Sequence, residues 1–192
     1  MDSWGLPSVG IQIAAAARWA SGVGGDPANE IEGRICTAAL EVFDAIESPL
    51  EAVFAAWWTA LADTEREVMG PCLMPQYEVA LGDTVYRVDF SVGTGNLDLL
   101  MDAHYVGLQW PCLAVELDGH EFHERTKDQV ARRDARDRAL HRDGWSLFHY
   151  SGSELYAAPL RCVREAYDFA TTQERELLGR VRAHEQTNGS RA

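Results

Sequence analysis

Apolar positions follow a helical period in the first third of the chain and a strand period in the middle. From Asn29 to about Ile46, Ile31, Ile35, Ala38, Ala39, Val42, Phe43 and Ile46 recur at helical spacing, which predicts an amphipathic helix. The shorter run IQIAAAARWAS at 11–21 predicts a helix before it, and the breaker cluster GVGGDP separates the two. Ser48-Pro49-Leu50-Glu51 has the form of a capping box, with Ser at N-cap, Pro at the first helical position and Glu at the third. The run AVFAAWWTALAD carries that helix to about Asp63. Pro71 and Pro75 then mark a loop.

The period next changes to two. Gln76–Leu81 and Thr84–Val92 flank Gly82-Asp83 and predict a tight hairpin. In the second strand Tyr86, Val88, Phe90 and Val92 fall on one face, and Val85, Arg87 and Asp89 on the other. Residues 93–110 form a connection with room for one short helix or strand. Cys112–Asp118 is a third strand. A helix follows from about Thr126 to Asp143, stopped by Gly144, and Trp145–Tyr150 is a fourth strand. Ser151 opens another helix, and a long one runs from Pro159 to about Glu185. The first three strands can form a meander, and the helix before the fourth allows a crossover to a parallel neighbour. The fold class is α/β, of the α+β mixed-sheet kind: about four strands flanked by helices. Residues 1–47 form an N-terminal helical extension, 48–185 the main domain, and 186–192 a disordered tail.

Composition narrows the class. The 192 residues are 46% hydrophobic and 24% charged, which suits a soluble globular domain. No apolar run approaches the roughly 20 residues that span a bilayer. No basic segment precedes an apolar one at the start, so the cytoplasm is the expected location. Cys36, Cys72, Cys112 and Cys162 lie tens of residues apart with no CxxC, so buried reduced thiols are expected. The net charge of −13 argues against a simple nucleic-acid coat protein. The charge is uneven, with 3 basic and 12 acidic side chains in residues 1–80 but 7 basic and 6 acidic in 121–143. A locally basic face on an acidic chain is therefore expected, and the acidic N-terminal region can dock a protein partner.

The candidate chemistry lies in carboxylates. Glu116 and Asp118, two apart on a strand, share a face. Asp89 lies late in a neighbouring strand, opposite its apolar face. If those strands pair, three carboxylates converge, which costs electrostatic energy unless a cation joins them. Oxygen ligands favour Mg²⁺, Mn²⁺ or Ca²⁺ over zinc. Such a cation supplies what phosphodiester hydrolysis needs, an acidified water and a neutralised phosphate. For any single acid, a solvated strand end paired with arginine is the simpler reading.

Five stretches in order carry a resemblance: SPLE at 48–51, VDF at 88–90, ELDGHEFHERTKDQ at 116–129, RDARDRAL at 133–140 and GWSLFHYSGSEL at 144–155. Over residues 48–155 the chain resembles the PD-(D/E)XK nuclease superfamily. The closer likeness is to small bacterial restriction-endonuclease-like domains related to very-short-patch repair endonucleases. The resemblance implies a restriction-endonuclease-like core and Mg²⁺-dependent hydrolysis of DNA, with Mn²⁺ as a substitute metal. It implies Asp89 and Glu116 as metal ligands, with the Leu117 carbonyl as a third. The superfamily lysine, two residues after the glutamate, is Asp118 here. Lys127, the chain's one lysine, is the only lysine that could replace it.

Other residues keep two readings. Glu51 is either a capping residue or a carboxylate approaching the metal. His120 and His123 either assist the attacking water, the leaving oxygen or a phosphate, or are loop residues. Arg132, Arg133, Arg136 and Arg138 either pair with their own helix acids at i,i+4 or contact DNA phosphates. Lys127, Gln129, Arg133 and Arg136 are the expected nucleic-acid contacts. The rival functional class is a catalytically inactive nuclease-like fold that binds a protein or nucleic acid.

Overall fold

The computed structural model describes residues 9–43, 45–65, 70–110, 112–119 and 126–189, with the backbone alone for 36–43 and 188–189. The sequence AVFAAWWTALA has no polar face, so its helix must be covered on every side. It forms α3 (Pro49–Glu65), with Ala52 to Trp58 and Ala60 and Leu61 all buried. On one side it meets α1 (Val9–Gly24) and α2 (Ala28–Phe43), which contribute Ile13, Ala16, Ala17, Ala20, Ile31 and Ile35 to the same core. Trp57 Nε1 donates to Gln12 Oε1 at 3.2 Å, and Arg34 grips Asp63 at 2.9 and 2.8 Å. Helices α1 and α2 thus cover one side of α3.

On its other side α3 meets the sheet. The strands are β1 (Pro71–Leu81), β2 (Thr84–Thr94), β3 (Cys112–Asp118) and β4 (Trp145–Ser151), in the order β1-β2-β3-β4. β1, β2 and β3 run antiparallel in sequence, and β4 joins β3 in parallel. The crossover helix is α5 (Lys127–Arg142). A short α4 (Leu97–Tyr105) fills part of the 93–110 connection, and α6 (Gly152–Ala157) leads into α7 (Pro159–Gly189). This is the expected mixed α+β sheet flanked by helices. Helix α7 runs past the expected boundary at Glu185. Cys72, Cys112 and Cys162 are free thiols, but only Cys162 is fully buried; the Cys36 side chain lies outside the described part. Among the described residues no helix is long and apolar enough to cross a membrane.

Two corrections concern the hairpin. Pro71 and Pro75 belong to β1, not to a loop. They are tolerated because β1 is a sheet edge, where a missing N–H leaves no neighbour unpaired. The turn itself is as expected, with Gly82 at φ 60 linking Leu81 to Thr84. The second correction is that β2 does not keep one apolar face. Phe90 and Val92 join the α3 core, whereas Val88 packs with Val79, Ala114, Leu140 and Trp145 on the α5 side. The ribbon changes sides between Phe90 and Val88, at Asp89. The β1–β2 pairing skips one step there, between Pro75–Phe90 and Tyr77–Val88, and the β1 residue in that gap is Gln76, the one non-glycine among the described residues with positive φ, at 48°. A non-glycine residue there is strained, and its left-handed backbone turns the strand over. Beyond this point β2 leaves β3, whose paired residues are only Phe90 with Val115, Ser91 with Ala114 and Val92 with Leu113.

The site's support is aromatic. Phe54, fully buried, has its ring 5.5 Å from Phe90, 6.0 Å from Tyr150 and 6.1 Å from Trp58. It presses on the strand residue next to Asp89.

Candidate functional site

Where β2 and β3 separate, ladder donors lose their partners. Extending the register one step past Phe90 and Val115 would set Asp89 against Glu116, but the ladder stops there. The Asp89 side chain fills the gap, and Leu117 N–H donates to its Oδ2 at 2.7 Å. Alternation along β3 sends Leu113 and Val115 into the α3 core and turns Ala114, Glu116 and Asp118 toward α5. Asp89 is thereby near enough for its charge to act on Glu116, and Asp118 acts on Asp89 in turn.

Glu51 adds a further buried carboxylate beside Asp89. Glu51, only 4% exposed, accepts from Glu47 N–H at 3.0 Å and from Gln76 Nε2 at 2.8 Å through one oxygen, Oε2. Ser48 Oγ accepts the Glu51 N–H at 3.3 Å. Glu51 thus caps α3 and also acts on Asp89, whose pKa its charge helps to raise. The capping reading of Glu51 is thus met, and its charge also reaches the Asp89 carboxyl.

Burial pushes the Asp89 carboxyl up to about 6; the Leu117 N–H opposes this, Glu51 adds to it, Arg136 opposes it and Asp118 adds to it. Burial likewise pushes Glu116 up to about 7, with Arg136 opposing and Asp89 adding. A raised folded-state pKa means that the folded protein holds protons the unfolded chain releases. The stability that these two acids allow is therefore greatest below about pH 4 to 4.5, where they are protonated in both states. It should decline as pH rises through about 6 and about 7. Thermal melts in EDTA check this: Tm should fall between pH 5 and pH 8 beyond any general trend, and Asp89→Asn should flatten the fall.

Cations of the chain face these acids. Arg136 Nη1 lies 3.1 Å from Glu116 Oε1, off the line of a well-formed hydrogen bond, and Nη2 is 3.1 Å from Asp137. Arg133 Nη1 lies 3.6 Å from Asp118. Arg133 and Arg136 thus face acids of β3 and acids beside them on α5. Gln129 completes a capping box with Thr126 at the start of α5. It also lines, with Tyr86, Glu116, Asp118, Arg132, Arg133 and Arg136, a cleft of about 420 Å³ over Glu116 and Asp118, which the Asp89 side chain does not line. Lys127 opens α5 as its first residue and does not line that cleft. His120 and His123 lie outside the described residues.

Two further residues belong to the site. His149 is paired in register with Glu116 across β3 and β4. Its Nδ1 is 3.7 Å from Asp118 and its Nε2 is 3.2 Å from Asp137. The Asp118 contact leads the upward shift of its pKa. Alternation in WSLFHY, once β4 is set parallel to β3, is enough to find it. Gln76 carries no sequence signal, because its role depends on a strained backbone. Gln76→Gly should change stability by less than about 1 kcal/mol, since relief of strain offsets the lost bond to Glu51. Gln76→Val should destabilise by roughly 2 kcal/mol or more. Urea unfolding of both variants checks the difference.

The donor set suits an oxygen-seeking divalent cation. Burial and mutual repulsion raise the proton affinity of Asp89 and Glu116, and Glu116 Oε1 accepts no aligned hydrogen bond. Among the described residues no group of three or more His, Cys, Asp or Glu side chains is arranged to hold a metal. Mg²⁺ does not require three, because it binds through one or two carboxylates and keeps several waters. Asp89 and Glu116, with the Leu117 carbonyl, are the residues that would hold it. Comparison with family models, curated proteins and solved structures finds no match to this chain.

Proposed function

We propose that this chain is a metal-dependent endonuclease of the PD-(D/E)XK superfamily that hydrolyses DNA phosphodiester bonds. The observation that carries the reading is the meeting of Asp89 and Glu116 where β2 parts from β3, both with pKa values raised by burial. Buried acids that repel one another are destabilising unless a function retains them. A bound Mg²⁺ or Mn²⁺ would lower the pKa of a water and neutralise phosphate charge. Asp89 and Glu116 would hold that cation, with the Leu117 carbonyl beside them. Asp118 occupies the position of the superfamily lysine and serves as a ligand or base. His149, which bridges Asp118 and Asp137, is suited to hold or pass the proton that a lysine would otherwise manage. His123 remains a second candidate for that task.

The rival reading, an inactive fold that binds a partner, is favoured by one observation. Arg136 and Arg133 already face Glu116 and Asp118, so the chain supplies cations of its own. Plasmid DNA incubated with the protein and Mg²⁺ or Mn²⁺ separates the two. Nicked or linear DNA is expected. A folded protein that leaves both DNA and RNA intact would sink the nuclease reading.

A further inference from the structure

Helix α5 carries arginines of two kinds. Arg133 and Arg136 are engaged by the carboxylate cluster. Arg138, His141 and Arg142 are exposed near the C-terminal end of the helix and make no ion pair among the described residues. The Arg142 Nε donates to the Arg138 carbonyl at 3.2 Å. On a chain of net charge −13, two arginines grouped without an acidic partner are unusual.

They line a second cleft, of about 690 Å³, whose opposite wall is aromatic. Phe148 of β4 and Phe169 of α7 stand there, half-buried, with ring centroids 5.1 Å apart. The cleft runs along β4, the sheet edge with no further strand beside it. Its one acidic lining residue, Asp137, is held by Arg136 and His149. His149 also lines the cleft, and its other nitrogen faces Asp118. A single imidazole therefore separates this cleft from the carboxylate cluster.

We infer that the cleft is a nucleotide subsite, holding a single-stranded stretch of nucleic acid next to the bond to be cut. A phosphate would meet Arg138, His141 and Arg142, and an unstacked base would lie against Phe148 and Phe169. Cations that track a backbone beside an aromatic platform are the general means of binding single strands. Only an unstacked base offers a ring face to such a platform, so paired DNA should bind it less well. The inference rests on the proposed nuclease reading for its location but not for its test.

The test is fluorescence anisotropy of a labelled single-stranded oligothymidylate with the full chain in EDTA, where no metal-dependent cleavage occurs. Wild type should bind, and a duplex of the same length should bind several-fold more weakly. Arg138→Ala/Arg142→Ala should weaken binding about tenfold or more and reduce the salt slope by roughly 1.4, at about 0.7 for each phosphate left unneutralised. Phe169→Leu, which keeps an apolar residue in place, should weaken it several-fold by removing a stacking face. Tripolyphosphate, which has charge but no base, should compete poorly. Binding unaffected by these variants, or full competition by tripolyphosphate, would overturn the inference, as would absence of binding by wild type. Retained cleavage alongside such a result would leave the nuclease reading standing. Intact cleft binding by a protein that cuts nothing would leave the subsite standing alone.

Discussion

Replacing Asp89 by Asn or Glu116 by Gln is expected to remove divalent-dependent DNA cleavage and leave the protein folded. Loss of a partner that merely orients a metal ligand costs roughly 10–100-fold in metal affinity or activity. Loss of a ligand itself should cost more, leaving cleavage at the level of the metal-free control. The same substitutions should not harm the fold. The Asp89 carboxyl is raised to about 6, so at pH 8 its charge destabilises the folded protein, and a neutral amide of the same shape avoids that cost. An Asn oxygen can still accept the Leu117 N–H. Tm in EDTA at pH 8 should therefore stay level or rise for Asp89→Asn while cleavage disappears. A variant that loses both activity and fold would point to a structural role for the carboxylate. Undiminished cleavage would remove Asp89 from the site.

The second large effect is expected in the aromatic core beneath the carboxylates. Phe54→Ala should destabilise the protein by about 3–5 kcal/mol, the usual cost of emptying a buried aromatic site. The expected decline in Tm is on the order of 10 °C for a chain of this size. Phe54 is a keystone because its ring meets Phe90, Tyr150 and Trp58 together. Those three come from β2, β4 and α3, so no single neighbour can close the cavity. Phe90 is the residue next to Asp89, and a loosened β2 should also weaken divalent-cation binding in molecules that remain folded. Calorimetric melts give the stability change. A decline smaller than about 1 kcal/mol, well below the usual cost, would mean that α3 is not the support of the sheet.

The sequence and the structure agree where one local rule governs. Ser48-Pro49-Leu50-Glu51 caps α3 because the signature is local. The parallel placement of β4 follows from the helix between it and β3. Gly144 ends α5 with φ 92, as a C-terminal glycine should. Asp89, Glu116 and Asp118 were legible as a group because alternation puts each on a known side of its strand. Agreement fails where tertiary geometry overrides a local pattern. Alternation alone gives β2 one apolar face, but the strain at Gln76 turns the ribbon over and divides Val88 from Phe90. Pro71 and Pro75 read as breakers because nothing local says that β1 lies at an edge. The i,i+4 pattern on α5 concealed the difference between arginines engaged by β3 acids and those left facing the second cleft.

Isothermal titration of Mn²⁺ into the wild-type protein and into Asp89→Asn/Glu116→Gln, at about pH 6.5 in buffers of different ionisation enthalpy, tests the carboxylate site most directly. Wild type should bind one ion and release protons, because acids raised to about 6 and about 7 are partly protonated at that pH. The double variant should bind none at that site. Equal binding by the two proteins, or no binding by the wild type, would contradict a metal site at Asp89 and Glu116.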